Sequence, residues 1–320
     1  MTATQTPQRT PQPDGLEAPR SHALGDRIFR GLAVLSGVVI ILALAGVFVF
    51  LAIEGAPGLN VDPSFYDPAT TFLGYVGPLI YGTILAAVIA LVFAVPLAIG
   101  IALFISHYAP RRIATPVAYL IDLLAAVPSV VYGLWGGREL AKHVGDIQVW
   151  LHDWFGFLPF FKGPPSESGR TILTAGLVLA IMVLPIVTAI CREIFARTPR
   201  LHEEAALALG ATRWETVRLA VFPYARSGMV SAVMLGLGRA LGETMAVAMV
   251  LSASPLVTLN LISGTNPATI ASNIASNYKE ATPDKQAVLI ATGLVLFAFT
   301  FAVNFLARYI AGRGERRMAR

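Results

Sequence analysis

The sequence predicts an all-α protein that crosses a membrane six times. Hydrophobic residues make up 55% of its 320 residues and charged residues only 13%, whereas soluble domains carry about 25% charged residues. A bilayer-spanning helix needs about 20 apolar residues, and six runs are long enough. They are residues 31–53, 79–105, 115–135, 171–191, 227–251 and 286–309.

The first run has no charged residue and no small-residue cleavage site after it, so we interpret it as a retained span. Residues 1–25 are rich in Pro, Thr and Gln and are predicted to be a disordered tail. Pro96, Pro128 and Pro185 lie inside predicted spans, where membrane helices tolerate proline and kink.

Basic residues are concentrated in alternate loops, which predicts the orientation of the chain. The N-terminal tail, residues 106–114, residues 192–226 and the C-terminal segment hold 17 cations, and the intervening loops hold six. Both termini are therefore predicted to be cytoplasmic. Because the basic residues lie between apolar runs rather than on one soluble face, we expect no nucleic-acid partner.

The outer loop 136–170 is rich in aromatic residues. These rings could lie in the membrane interface, which favours aromatic side chains, or could form a partner surface. His143 and His152 in this loop lack the cysteine or carboxylate neighbours typical of a metal site. We expect no metal site and no catalytic residue in the chain.

Residues 198–223 interrupt the apolar sequence with a predicted helical hairpin. The Thr-Pro pair at 198–199 is a typical helix start, and we expect the first helix to end at Leu209. Gly210 can adopt the left-handed conformation that ends many helices. The Thr-x-x-Glu pattern at 212–215 predicts a capping box that opens a second helix.

The first helix of this hairpin could rest on lipid or bind a protein. Leu201, Ala205, Ala208 and Leu209 share one side by the 3.6-residue period, which suits headgroups. Anionic lipid would repel an acidic pair such as Glu203–Glu204. A protein partner is therefore the better explanation.

The hairpin resembles the EAA loop of ABC importer permeases. The matching residues are Glu204-Ala205-Ala206, Gly210 and Pro223, on a loop before the penultimate span. The resemblance implies a coupling helix, including Glu203, that docks into a groove on an ATPase subunit. The chain has no Gly-Lys dipeptide and hence no phosphate-binding G-x-x-x-x-G-K-[ST] loop. We therefore expect no cofactor on this chain, with ATP and Mg²⁺ on the partner ATPase.

Arg239 and Glu243 lie near the middle of the fifth predicted span. Each charge at that depth costs about 2.5–3.5 kcal/mol on insertion scales, so both should face a protein interior or an aqueous path. They could form an i,i+4 ion pair that fixes helix packing. Alternatively, the Arg239 fork could bind an oxyanion, while Glu243 accepts a hydrogen bond from protonated phosphate and repels fully ionised sulfate.

Other residues near this pair suggest contacts with neighbouring helices. Asp122, in the inner half of the third predicted span, could pair with Arg239 or with a second subunit. Gly238 and Gly242 form a small-xxx-small pair that would let another helix approach closely.

Two segments, "GLGRALGETMAV" and "DLLAAVPSVVYGLWG", resemble the PstC-type permease subunits of bacterial phosphate-specific ABC importers. The resemblance implies a six-span type-1 permease of the inner membrane, with Arg239 and Glu243 in the phosphate path. It further implies a heterodimer with a sister permease, two ATPase subunits and an extracytoplasmic phosphate-binding protein. The expected permease domain is 75–310, preceded by a first span and outer loop at 26–74 and followed by a basic cytoplasmic tail at 311–320.

Three other functions remain open from the sequence. The same architecture could import another oxyanion, such as molybdate or sulfate. An ion- or proton-coupled carrier could use Arg239, Glu243 and Asp122 as a relay. An intramembrane enzyme built on Asp122 and Glu243 would lack a nucleophile or metal cluster.

Overall fold

The computed structural model describes residues 23–318, with side chains for residues 25–309. This part of the chain contains twelve α-helices and no β-strand. The predicted disordered tail lies almost wholly outside the described residues. The helices are α1 Ala23–Gly55, α2 Phe72–Leu103, α3 Arg111–Ala126, α4 Ser129–Trp135, α5 Ala141–Phe155, α6 Ile172–Ala196, α7 Arg200–Ala208, α8 Arg213–Thr216, α9 Phe222–Gly242, α10 Met245–Val250, α11 Ile270–Asn277 and α12 Pro283–Met318.

Five helical runs in the described residues are long and apolar enough to cross a membrane, and each overlaps a predicted span. α12 continues to Met318, so the predicted C-terminal tail is helical as far as it is described. The runs are Gly25–Leu59, Phe72–Tyr108, Ile172–Ala196, Arg213–Gly242 and Pro283–Tyr309.

The predicted third span, residues 115–135, is wrong as a single helix. The chain bends by 91° between Arg111–Ala126 and Ser129–Phe155. Pro128 has no N–H for the helix ladder and disfavours helical geometry in the preceding residue, and Val127 accordingly has a ψ of 128°. The second helix, formed by α4, a π-helical turn and α5, extends into the predicted outer loop 136–170 and ends at Phe155. Counting the bent pair as one crossing gives six spans.

α1 belongs mostly to a separate unit that ends at Val49. The described side chains of this unit, those of residues 25–49, are exposed. A helix that is apolar on all sides suits a lipid environment.

The core of the second unit is built on the contact between α2 and α6. Alanines recur at every fourth position of α2 and are at most 1% exposed, namely Ala86, Ala90, Ala94, Ala98 and Ala102. On α6, a Cβ added to Gly176 would lie 2.4 Å from Cγ2 of Ile89. Small residues on both helices therefore let the two backbones approach closely.

Candidate functional site

The predicted helical hairpin is present, with one shifted start. Gly210 has a φ of 86° and ends the first helix, as predicted. The predicted capping box is also present: Thr212 Oγ1 accepts from the Glu215 amide at 3.3 Å, and the Glu215 carboxylate accepts from the Thr212 amide at 2.7 Å. The first four N–H groups of a helix lack partners within the helix. The capping box supplies acceptors for the amides of Thr212 and Glu215 at this helix start.

The expected N-cap at Thr198 is wrong. α7 begins at Arg200, Pro199 occupies the N-cap position, and Leu209 is the C-cap instead of the last helical residue. The Thr198 amide donates to Phe195 O at 3.2 Å, so this residue completes the end of α6. Its hydroxyl is buried and makes no hydrogen bond within the described residues.

One side of the hairpin is held against the neighbouring elements. Glu203 Oε1 lies 3.7 Å from Nε2 of His107, in the π-helical turn that follows α2. Trp214 and Phe222 form an edge-to-face pair with ring centroids 6.2 Å apart. Ala206 and Pro223 line a cavity of about 390 Å³ between α7 and the start of α9. Glu203 thus faces His107, whereas Glu204, the other acid of the pair, is exposed.

The other side of the hairpin carries large uncovered apolar side chains. Leu201 is 76% exposed and Leu209 is 91% exposed. Ala205, which the helical period places on the same side, is also exposed. Contiguous exposed apolar residues on a polar segment mark interaction sites.

The fifth span is broken close to its buried acid. α9 ends at Gly242, Glu243 has a ψ of 128°, and α10 begins at Met245. Glu243 is 7% exposed. Its Oε1 accepts a hydrogen bond from the Ala246 amide at 3.2 Å, which satisfies one backbone donor at the start of α10. A broken helix at membrane depth is found where the backbone lines a cavity or is covered by protein.

Arg239 and Glu243 do not form the ion pair that one alternative proposed. The extended backbone at Glu243 removes the i,i+4 geometry of a continuous helix, and none of the four ion pairs among the described residues involves Arg239. Arg239 is exposed. Within the described part of the chain, the Arg239 guanidinium beside the break thus has no carboxylate partner.

Asp122 pairs with Arg192, which the sequence interpretation missed. Its Oδ1 lies 3.6 Å from Nη2 of Arg192 near the end of α6, so Arg239 is not its partner within this chain. Arg192 also lines a cavity of about 480 Å³ together with Ser106 and Glu193. The pair therefore places both charges at the end of α6 from which the hairpin emerges.

Among the described residues, nothing lies within 4 Å of a Cβ added to Gly238 or Gly242. Close approach to a neighbouring helix occurs at Gly236 instead, where a Cβ would lie 2.7 Å from Val183 and 2.9 Å from Val187. In the described part of the chain, the predicted small-residue face therefore has room for a second helix, next to the exposed Arg239.

Tyr132 is a further residue that the sequence interpretation missed. Its hydroxyl donates to Leu124 O at 2.8 Å, and the same carbonyl also accepts from the Val127 amide at 3.3 Å. In a continuous helix that carbonyl would accept from residue 128, which is a proline without an N–H. Tyr132 is also within electrostatic range of Arg239. The sequence does show that Pro128, four residues after Leu124, cannot donate to the Leu124 carbonyl. It does not show which group donates in its place.

Residues 94–316 match the family described as the binding-protein-dependent transport system inner membrane component. The chain is 46% identical over 300 residues to the phosphate transport system permease protein PstC 2 of Mycobacterium tuberculosis, which covers 90% of this chain and 92% of that protein. It is 39% identical over 328 residues to the phosphate transport system permease protein PstC of Xylella fastidiosa strain Temecula1, covering 99% of each.

Among solved structures, an inward-facing methionine ABC transporter matches with a TM-score of 0.48 and 14% identity, over 73% of this chain and 94% of that chain. The family match and the membrane helices identify a multi-pass inner-membrane subunit of an ABC transporter. The chain belongs to the binding-protein-dependent transport system inner membrane components and, within them, to the PstC family of permease proteins.

Proposed function

We propose that the chain is the permease subunit of an ATP-driven importer that moves inorganic phosphate across the inner membrane. The observation that carries this proposal is the exposed guanidinium of Arg239, which has no carboxylate within ion-pair distance in the described residues and lies beside the break in the fifth span. The names of the curated relatives support phosphate as the substrate.

Arg239 and Glu243 would act on different parts of the phosphate ion. A guanidinium offers a planar fork of donors that suits two oxyanion oxygens. The Ala246 amide donates to Oε1 of Glu243, and the second carboxylate oxygen can accept a hydrogen bond from a phosphate hydroxyl. Sulfate has no such proton, so the same carboxylate would repel it.

A second permease subunit would complete the path. Gly238 and Gly242 are uncovered, and the exposed Arg239 lies on the adjoining face of α9. A helix of a homologous sister permease could approach these glycines closely and enclose the anion between the two chains. Asp122 and Arg192 would lie at the inner part of this path.

The remaining partners follow from the uncovered faces of the hairpin and from the family. Two ATPase subunits, which hold ATP and Mg²⁺, would receive the side of the hairpin that carries Leu201 and Leu209. An extracytoplasmic phosphate-binding protein would deliver the anion to the opposite side of the membrane. Closure of the ATPases would move the hairpin, tilt the two permeases and expose Arg239 alternately to the two sides.

The experiment is phosphate uptake by the complete transporter in proteoliposomes, with Arg239→Gln compared with the natural chain. We expect uptake to be lost while assembly with the ATPase subunits is retained. Arg239→Lys keeps the charge but not the planar fork, so it should retain only part of the uptake. Arg308→Gln, which removes an exposed arginine near the end of the last span, is the matched control and should transport normally.

Three results would contradict the proposal. Normal uptake by Arg239→Gln would assign this arginine to packing. Uptake that collapses with a protonophore while ATP is held constant would indicate an ion-coupled carrier. Competition by sulfate or molybdate, together with their binding to the cognate solute-binding protein, would indicate a permease for another oxyanion.

A further inference from the structure

Arg170 lies at the opposite end of α6 from the hairpin. It comes directly before Thr171, whose side chain caps α6. Its side chain is exposed, and in the described residues no carboxylate lies within ion-pair distance of it and no hydrogen bond from its guanidinium is found. The 25 residues of α6 rise about 37 Å, so a membrane separates Arg170 from the hairpin.

The guanidinium of Arg170 lies at the end of the short helix that follows the break. A Cβ added to Gly137 would be 3.3 Å from Nη2 of Arg170 and 2.7 Å from the carbonyl oxygen of Met249. The absent side chain at Gly137 therefore leaves room for both groups. The backbone is fixed as well, because the Ser252 amide donates to Arg170 O at 3.3 Å.

α10 connects this arginine to the break in the fifth span. It has six residues, Met245–Val250, which rise about 9 Å. Glu243 and Arg239 precede one end of α10, and Arg170 lies against the other. α10 and the last turn of α9 therefore separate Arg170 from Arg239 along the chain.

Two serine hydroxyls lie next to the backbone of Arg170. The hydroxyls of Ser166 and Ser168 are hydrogen-bonded at 3.2 Å, and the Arg170 amide donates to Ser168 Oγ at 3.4 Å. A Cβ on Gly264 would meet Ser166 Oγ at 3.7 Å and Ser252 Cβ at 4.0 Å. Hydroxyls can donate to an anion without adding charge, and the small residues leave the site accessible. Glu167 is the acid nearest in sequence and is also exposed.

We propose that Arg170 and the adjacent serine hydroxyls form a receiving site for the phosphate oxyanion at the outer mouth of the path, before the anion reaches Arg239. The inference rests on the proposed function. Charge-assisted hydrogen bonds to an oxyanion are stronger than hydrogen bonds between neutral groups. An arginine at this position would therefore hold the released anion in the permease and reduce its return to the medium.

The test measures phosphate import and ATP hydrolysis together, with the complete transporter and its loaded binding protein. Arg170→Gln should lower the number of phosphates imported per ATP hydrolysed by about tenfold, the loss expected for one charge-assisted contact. Stimulation of ATP hydrolysis by the binding protein should persist. Arg170→Lys should recover part of the ratio. Arg138→Gln removes an exposed arginine from the same helix as Gly137 and should leave the ratio unchanged.

Two results would overturn the receiving site. An unchanged ratio in Arg170→Gln would show that the anion does not use this arginine. Loss of stimulated ATP hydrolysis in parallel with import, in both the Gln and Lys variants, would assign Arg170 to docking of the binding protein. If the natural chain imports no phosphate, the proposed function itself fails. Co-purification of each variant with its ATPase subunits excludes misfolding as the cause.

Discussion

Gly210 allows a sharp test of the coupling hairpin because its role is conformational. Its φ of 86° lies in the left-handed region, and nothing lies within 4 Å of an added Cβ. A substitution therefore meets no neighbouring atom and acts only through the backbone. We choose Gly210→Val, because β-branched residues are especially disfavoured at positive φ.

The magnitude follows from the cost of the left-handed conformation. A residue with a Cβ loses roughly 1–2 kcal/mol there, and a loss of that size lowers the ratio of formed to unformed turn by about 5- to 30-fold. If the hairpin must keep this turn to transmit motion, import per ATP should fall by about fivefold or more. Asparagine tolerates the left-handed region far better, so Gly210→Asn should retain most of the coupling.

The assay is phosphate import and ATP hydrolysis in proteoliposomes that contain equal amounts of each transporter. Gly210→Val should hydrolyse ATP with little import, and Gly210→Asn is its control. Equal coupling in the Val and Asn variants would refute the role of this turn in transmission. A low protein level in the Val variant alone would be corrected by normalising both rates to transporter content.

Two further predictions concern packing, and both are measured as thermal unfolding of the detergent-solubilised transporter. Tyr132→Phe leaves Leu124 O with only the weaker bond from the Val127 amide, so it should cost about 1 kcal/mol and lower the Tm by a few degrees; an unchanged Tm would mean that the hydroxyl bond does not stabilise the bend. Gly176→Ala forces a Cβ against Ile89 and should cost roughly 1–3 kcal/mol, whereas Gly100→Ala, with nothing within 4 Å, should be neutral; equal effects would contradict the close approach.

Local chemistry predicted the hairpin well. The positive φ of Gly210 and the capping box at Thr212 depend on residues close in sequence, so composition and spacing were sufficient. Thr198 was assigned to the wrong helix because a Thr-Pro pair can both begin one helix and follow another. The outcome depended on the preceding Phe195, whose carbonyl accepts the Thr198 amide.

Hydropathy predicted where most spans lie but not the bend in the third. A window over 115–135 averages across Pro128 and does not register that the chain turns by 91° there. The helix after the bend continues past Arg138, which sequence reasoning placed in an outer loop.

The sequence identified the charged residues of the predicted spans, but not which of them form ion pairs. Asp122 and Arg192 are 70 positions apart, and only the packing of α3 on α6 brings them within 3.6 Å. Arg239 and Glu243 are four residues apart, which is about one turn of a continuous helix. The helix ends at Gly242, however, so the two side chains do not have the geometry of an i,i+4 pair. Pairing of this kind depends on tertiary structure, which one sequence does not reveal.

The alanine row on α2 determines how a displacement travels through the molecule. Because the α2 side of this contact carries only short side chains, α2 has few rotamers with which to re-pack against α6, and we expect the two helices to move together. α7 joins the end of α6 through only Arg197, Thr198 and Pro199. We therefore expect a displacement of the hairpin to reach α6 directly, and the interruptions at Pro128 and Glu243 to be the places where the helix axes can change direction.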